Sequence, residues 1–159
     1  MSFYIVDVES DGQILGRNSM VCFGAVRLDN ELQTTFYGKT SPVSPEYNEE
    51  ALAVSGFSRK GHELFDDPKV VFEDFAQWLA ETNLKGRPIL ISDNNGYDAS
   101  WINWYFLTYC GANPFGYSSR RIGDLGIHPI LRRLSAKPGD RWNRIIDTTL
   151  IQLPAKSGC

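Results

Sequence analysis

The chain is poor in the residues from which soft-metal and nucleophilic sites are built, with 3 cysteines and 2 histidines among 159 residues. Cys22, Cys110 and Cys159 are odd in number and show no C-x-x-C spacing, which excludes a zinc ribbon or a disulfide framework as the organising device. His62 and His128 lie too far apart in sequence to suggest a histidine-rich metal site, and neither completes a Ser/His/Asp or Cys/His arrangement. No run of 18 apolar residues occurs. The stretch Phe3–Val8 is short and interrupted by an acid, so neither a membrane span nor a secretory leader is expected. The default expectation is therefore a cytoplasmic protein with no membrane partner. Internal repeats and low-complexity linkers are absent as well.

What is present describes a single globular domain: 42% hydrophobic and 22% charged residues in a chain long enough to bury a core without staples. The net charge of −3 conceals an asymmetry. Residues 1–116 carry 8 Lys/Arg against 16 Asp/Glu, and residues 117–159 carry 8 Lys/Arg against 3 Asp/Glu, so the last quarter is basic. Such separation lets an acidic centre coexist with a phosphate-binding surface, for which Arg120 and Arg121 are candidates.

Apolar runs at Phe3–Val8, Met20–Leu28 and Thr34–Lys39 predict an antiparallel meander, with Asp29-Asn30 as one turn. The first run has no clean polar face, which suits a central strand covered on both sides in an α/β layered fold. A short helix is expected over Asn48–Val54. The clearest helix begins at Asp67 as N-cap with Pro68 in its first turn, and Phe72, Phe75, Ala76 and Leu79 form its apolar stripe. Arg87–Ser92 predicts another strand, and "DNNGYD" leads into a helix that stops at Gly111. Arg120-Arg121 opens a last short strand.

The segment "FYIVDVESDG" ends an apolar strand in two acids. Side chains two apart on a strand share a face, so Asp7 and Glu9 stand side by side. Adjacent carboxylates repel, and oxygen ligands on a rigid strand suit a hard divalent ion such as Mg²⁺ or Mn²⁺. Asp98 falls at a strand-loop-helix junction, where ligand sites gather in open α/β sheets.

The order Asp7-x-Glu9, meander, helix and then "SDNNGYDASWINWYF" resembles the DEDD superfamily of 3′-to-5′ exonucleases, the group of RNase T and oligoribonuclease. Asp7 and Glu9 match that family's first motif, and Asn94 with Asp98 its second. The resemblance spans roughly residues 3–125. It implies an RNase H-like exonuclease fold with a mixed central sheet, the first three strands antiparallel, flanked by helices. It implies two bound Mg²⁺ or Mn²⁺ ions held by Asp7, Glu9 and Asp98, and hydrolysis of single-stranded RNA or DNA from a free 3′ end. Asn94, Tyr97 and Trp101 become candidates for holding substrate, with Trp104 as a further stacking aromatic. By the same resemblance, the chain would work as a homodimer.

The third motif of that family is not found. It calls for a His five residues before an Asp, or a Tyr four before it. Asp124, Asp140 and Asp147 are preceded at five by Ser119, Ser135 and Trp142, and at four by Arg120, Ala136 and Asn143. A positioned general base contributes about 10²–10⁴ in rate, so its absence raises an impaired or purely nucleic-acid-binding module as the alternative. Residues 1–125 are thus expected to form the exonuclease-like core and 126–159 a basic segment atypical of the family. The general base and the fourth carboxylate are unassigned.

Overall fold

The computed structural model describes residues 2–125, apart from the side chain of Leu125. The third-motif candidates Asp140 and Asp147, His128 and the basic segment 126–159 lie outside the described residues. Five strands and four α-helices follow in order: β1 (Phe3–Ser10), β2 (Met20–Arg27), β3 (Thr35–Lys39), α1 (Glu49–Val54), α2 (Arg59–His62), α3 (Pro68–Thr82), β4 (Ile89–Ser92), α4 (Asn95–Tyr105) and β5 (Ser119–Arg121). The sheet runs β3-β2-β1-β4-β5. β1 pairs antiparallel with β2, which pairs antiparallel with β3; β4 lies parallel to β1, and β5 parallel to β4. The expected mixed sheet with an antiparallel first meander is observed.

Strand alternation sorts β1 into two faces. Tyr4, Val6 and Val8 point into the main core, where Phe72, Phe75 and Leu79 of α3 and Trp101, Ile102 and Tyr105 of α4 meet Phe23 and Ala25 of β2. Phe75 is fully buried among aromatic rings, with centroids 4.8 Å from Phe23, 4.9 Å from Phe36 and 5.4 Å from Phe106. Such packing leaves little room: a Cβ at Gly38 would stand 2.5 Å from the Phe23 ring, so only glycine fits there. The other face of β1 carries Phe3 and Ile5, which pack with Ile91 of β4 and Ile122 beyond β5. Asp7 and Glu9 continue that second face toward the carboxyl end of the strand.

Local chemistry sets the ends of the helices. Asn48 caps α1, its side-chain oxygen accepting from Ala51 N at 2.8 Å, and Asp67 caps α3 by accepting from Lys69 N at 2.8 Å. After Tyr105, the chain widens into a π turn over Phe106–Cys110 and stops at Gly111 (φ 73°), a left-handed position that glycine occupies without strain. α2 was not expected from periodicity, because four residues cannot display one. Its start is nonetheless capped by Ser58, which accepts from Gly61 N at 3.1 Å.

Candidate active site

The parallel pairing of β1 and β4 places the carboxyl ends of both strands at one sheet edge, and α4 begins directly beyond β4. This junction brings Asp98, in the first turn of α4, to Asp7 and Glu9 from ninety residues away. Asp98 is 2% exposed, and its Oδ1 accepts a hydrogen bond from the backbone N–H of Val8 at 3.2 Å, between the two strand acids in sequence. Its Oδ2 is buried with no hydrogen-bond partner. The neighbouring buried Ser92 hydroxyl lowers the Asp98 pKa, against the burial that raises it.

Electrostatics mark the same three groups. Burial, and then the Asp7 charge, push the Asp98 carboxyl up to about 7. Burial raises Asp7, with Asp93 adding repulsion, and burial raises Glu9, with Asp7 adding to it. No ion pair among the described residues involves Asp7, Glu9, Asp93 or Asp98. Asp98 is buried and Asp7 and Glu9 are half-buried, so their charges without a cation are costly, and a bound divalent ion would lower that cost. The donor set is all oxygen, which suits Mg²⁺ or Mn²⁺. Among the described residues, no three His, Cys, Asp or Glu side chains already converge on a common point at ligating distance. Opposite Asp7 in the β-ladder stands Gly24, which puts no side chain beside it.

Next to Glu9 opens a cleft of about 580 Å³, lined by Val8, Glu9, Ser10, Gly12, Gln13, Ala51, Val54, Asn94 and Tyr97. Asn94 occupies the N-cap position of α4 and is exposed. Its side chain makes no cap hydrogen bond, while its carbonyl accepts from Tyr97 N at 2.9 Å and Asp98 N at 3.1 Å. The Tyr97 hydroxyl is tied to Ser10 Oγ, which also bonds the Gly12 carbonyl, so the ring is held as one wall of the cleft. The structure corrects the reading of Trp101 as a substrate contact. It is 1% exposed within the main core, because the α4 face that carries it packs on the sheet. Trp104 packs against Tyr105 and Tyr109, with ring centroids at 5.0 and 6.3 Å, and does not line the cleft. Arg120 and Arg121 are exposed on the edge strand β5, and Asp124 is exposed in the 3₁₀ turn that follows.

A buried cluster tying down the turn after Glu9 was not anticipated from sequence. Asp11, fully buried, accepts from Ser19 N at 2.5 Å and pairs with Arg59 Nη1 at 3.0 Å; His62, also fully buried, stands 3.7 Å away. His62 Nε2 donates to the Met20 carbonyl at 3.2 Å, and burial lowers its pKa. The Asp11 carbonyl accepts from Asn48 N at 2.7 Å. These bonds pin the turn after Glu9 to β2, α1 and α2 together. The partners lie dozens of residues apart, and no short motif announces them.

The sheet order, its mixed pairing and the flanking helices define the RNase H-like exonuclease fold. Solved structures share it: the nuclease domain of 3′hExo, a DEDDh family member bound to rAMP, superposes with a TM-score of 0.54 at 16% identity, over 67% of this chain and 58% of that one. Exonuclease I of Escherichia coli in complex with a dT13 oligonucleotide gives a TM-score of 0.56 at 17% identity, over 75% of this chain and 27% of that one. No protein-family model matches the chain. In sequence, it is similar to the 3′-5′ DNA exonuclease Cap18 of Escherichia coli, 34% identical over 123 residues, which is 76% of this chain and 65% of that protein. The chain thus spans just under two thirds of that relative's length. The described residues thus share the fold of these nuclease structures, and the chain is similar in sequence to a 3′-5′ DNA exonuclease.

Proposed function

We propose that the chain is a metal-dependent 3′-to-5′ exonuclease that hydrolyses phosphodiester bonds of a single-stranded nucleic acid. The observation that carries this is the placing of Asp7, Glu9 and the buried Asp98 near the carboxyl ends of β1 and β4, beside an open cleft. Asp7, Glu9 and Asp98 would hold two divalent ions, Mg²⁺ or Mn²⁺, which supply an activated water and charge stabilisation at the leaving 3′-oxygen. Tyr97 and Asn94 then flank the terminal nucleotide, and Val54 and Ala51 offer apolar contact from the opposite wall. DNA is the favoured substrate, because the relative at 34% identity is named a DNA exonuclease. A homodimer is the assembly that the resemblance suggests. No helix among the described residues is long and apolar enough to cross a membrane.

A 5′-labelled single-stranded oligonucleotide, DNA and RNA in parallel, tests this reading with Mg²⁺, Mn²⁺ or EDTA present. The expected result is a ladder shortening from the 3′ end that requires metal, runs faster on DNA and vanishes with Asp7→Ala. Binding without cleavage by the folded protein would replace the enzyme with a nucleic-acid-binding module.

A further inference from the structure

A second pocket, of about 250 Å³, opens between α4, the loop that follows it and β5. Asn95, Ala99 and Asn103 line it from α4, at the spacing of four that stacks side chains on one helix face. The opposite wall is the stretch Asn113–Ser119, and its own hydrogen bonds pre-form it. Asn113 Nδ2 donates to Asn103 Oδ1 at 3.0 Å and to the Gly116 carbonyl at 3.1 Å, while Asn113 Oδ1 accepts from Phe115 N at 3.0 Å. Phe115 is buried and supplies apolar lining, whereas the Tyr117 ring is 92% exposed. No Asp, Glu, Lys or Arg lines the pocket. Among the described residues the Asn95 side chain makes no hydrogen bond, its Oδ1 being buried without a partner, and Asn103 uses only its oxygen. Cations stand just outside. Arg87 packs on the Gly116 turn, where a Cβ would lie 2.7 Å from its Nη1, and Arg121 follows Ser119 on one face of β5. No salt bridge among the described residues engages either.

An uncharged lining of amides, hydroxyls and aromatic rings suits a flat, neutral group with a hydrogen-bonding edge, as an unpaired nucleobase is. The volume falls just short of the roughly 300–1,000 Å³ of sites for drug-sized ligands, which admits one base and no duplex. Arg87 and Arg121 suit the phosphates on either side of such a base. Asn94 lines the cleft beside Glu9 and Asn95 lines this pocket, so the two openings flank the start of α4. We propose that the pocket is a second subsite, taking one unpaired base of the strand whose 3′ end lies in the cleft. This rests on the exonuclease reading and deepens it, because a base held there fixes the strand at a point away from the acids. A side-chain amide turns readily about its last bond, so Asn95 or Asn103 presents a donor or an acceptor to the base edge, and Tyr117 offers its ring for stacking.

The test is fluorescence anisotropy of a 5′-labelled oligo-dA strand with cleavage-resistant phosphorothioate linkages, titrated with the full chain in Mg²⁺, beside strands that each carry one abasic position. Wild type is expected to lose about tenfold in affinity when the abasic position falls at the base in the pocket. Ser100→Trp, which fills the pocket from an exposed position on α4, and Asn95→Ala should weaken the intact strand and no longer sense that abasic position. Circular dichroism checks that both variants are folded. Tyr97→Ala, in the cleft, should weaken the intact strand and keep the sensitivity. Wild-type affinity in both pocket variants, or a weakening that leaves the abasic sensitivity in place, would overturn the subsite; a loss in Tyr97→Ala at the same time would leave the exonuclease reading intact. Failure of wild type to bind the strand at all would overturn both.

Discussion

Burying the Asp98 carboxyl disfavours its charged form, and the size of that cost can be worked out. Its carboxyl is pushed from the model-compound value of 3.8 up to about 7, so the folded state binds the proton more tightly than the unfolded chain does. The group's contribution is therefore fully favourable below about pH 4 and is lost as the pH rises to about 7. At 1.36 kcal/mol per unit, the three-unit shift corresponds to on the order of 4 kcal/mol. Asp98→Asn keeps an oxygen to accept from Val8 N and turns an NH₂ toward the strand acids in place of a charge. Urea unfolding in EDTA should show the variant matching wild type near pH 4 and exceeding it at pH 8, by up to about 4 kcal/mol. Saturating Mg²⁺ should shrink the gap, because an ion at one hundred times its Kd stabilises wild type by about 2.7 kcal/mol. An Asn variant less stable than metal-free wild type at pH 8, or a gap independent of pH, would refute the electrostatic reasoning.

Further expectations follow from the cleft and the buried cluster beside it. Asp11→Ala leaves the Ser19 N–H without its carboxylate and removes one of the Arg59 partners, Glu63 and the Ser44 carbonyl remaining, and should cost about 1–3 kcal/mol in urea unfolding, as a buried donor left unsatisfied does. A loss below 1 kcal/mol would show that the cluster does not pin the turn. Tyr97→Ala should raise KM for a single-stranded oligonucleotide about 10–100-fold, in line with 1–3 kcal/mol per stacked base, whereas Tyr97→Phe should stay close to wild type. Equal effects from both would assign the hydroxyl tie to Ser10, and not the ring, as the contribution.

Much of the molecule can be read directly from residue patterns. β2 and β3 fall within one residue of the apolar runs that predict them, and the Asp67-Pro68 start of α3 is where capping chemistry puts it. β1 runs two residues beyond Val8, because Glu9 and Ser10 still pair with β2 on either side of a bulge. β4 starts at Ile89 and not Arg87, since Pro88 has no N–H to give the ladder. The Asp7, Glu9 and Asp98 constellation is legible because strand period and helix start are local signals. Trp101 shows the limit: an aromatic one turn past a site residue reads as a ligand contact until α4 packs that face into the core. The cluster of Asp11, Arg59 and His62 depends on which strands and loops become neighbours. That information lies in the whole sheet order and in no short segment.

The account stands on the claim that the corner between β1, β4 and α4 is a metal centre. Crystals soaked in Mn²⁺ and measured near the manganese absorption edge test it most directly, since anomalous scattering locates the ions without reference to activity. The account predicts two anomalous peaks within ligating reach of Asp7, Glu9 and Asp98, both absent from Asp7→Ala crystals. Well-ordered carboxylates with no peak between them at saturating Mn²⁺ would contradict it.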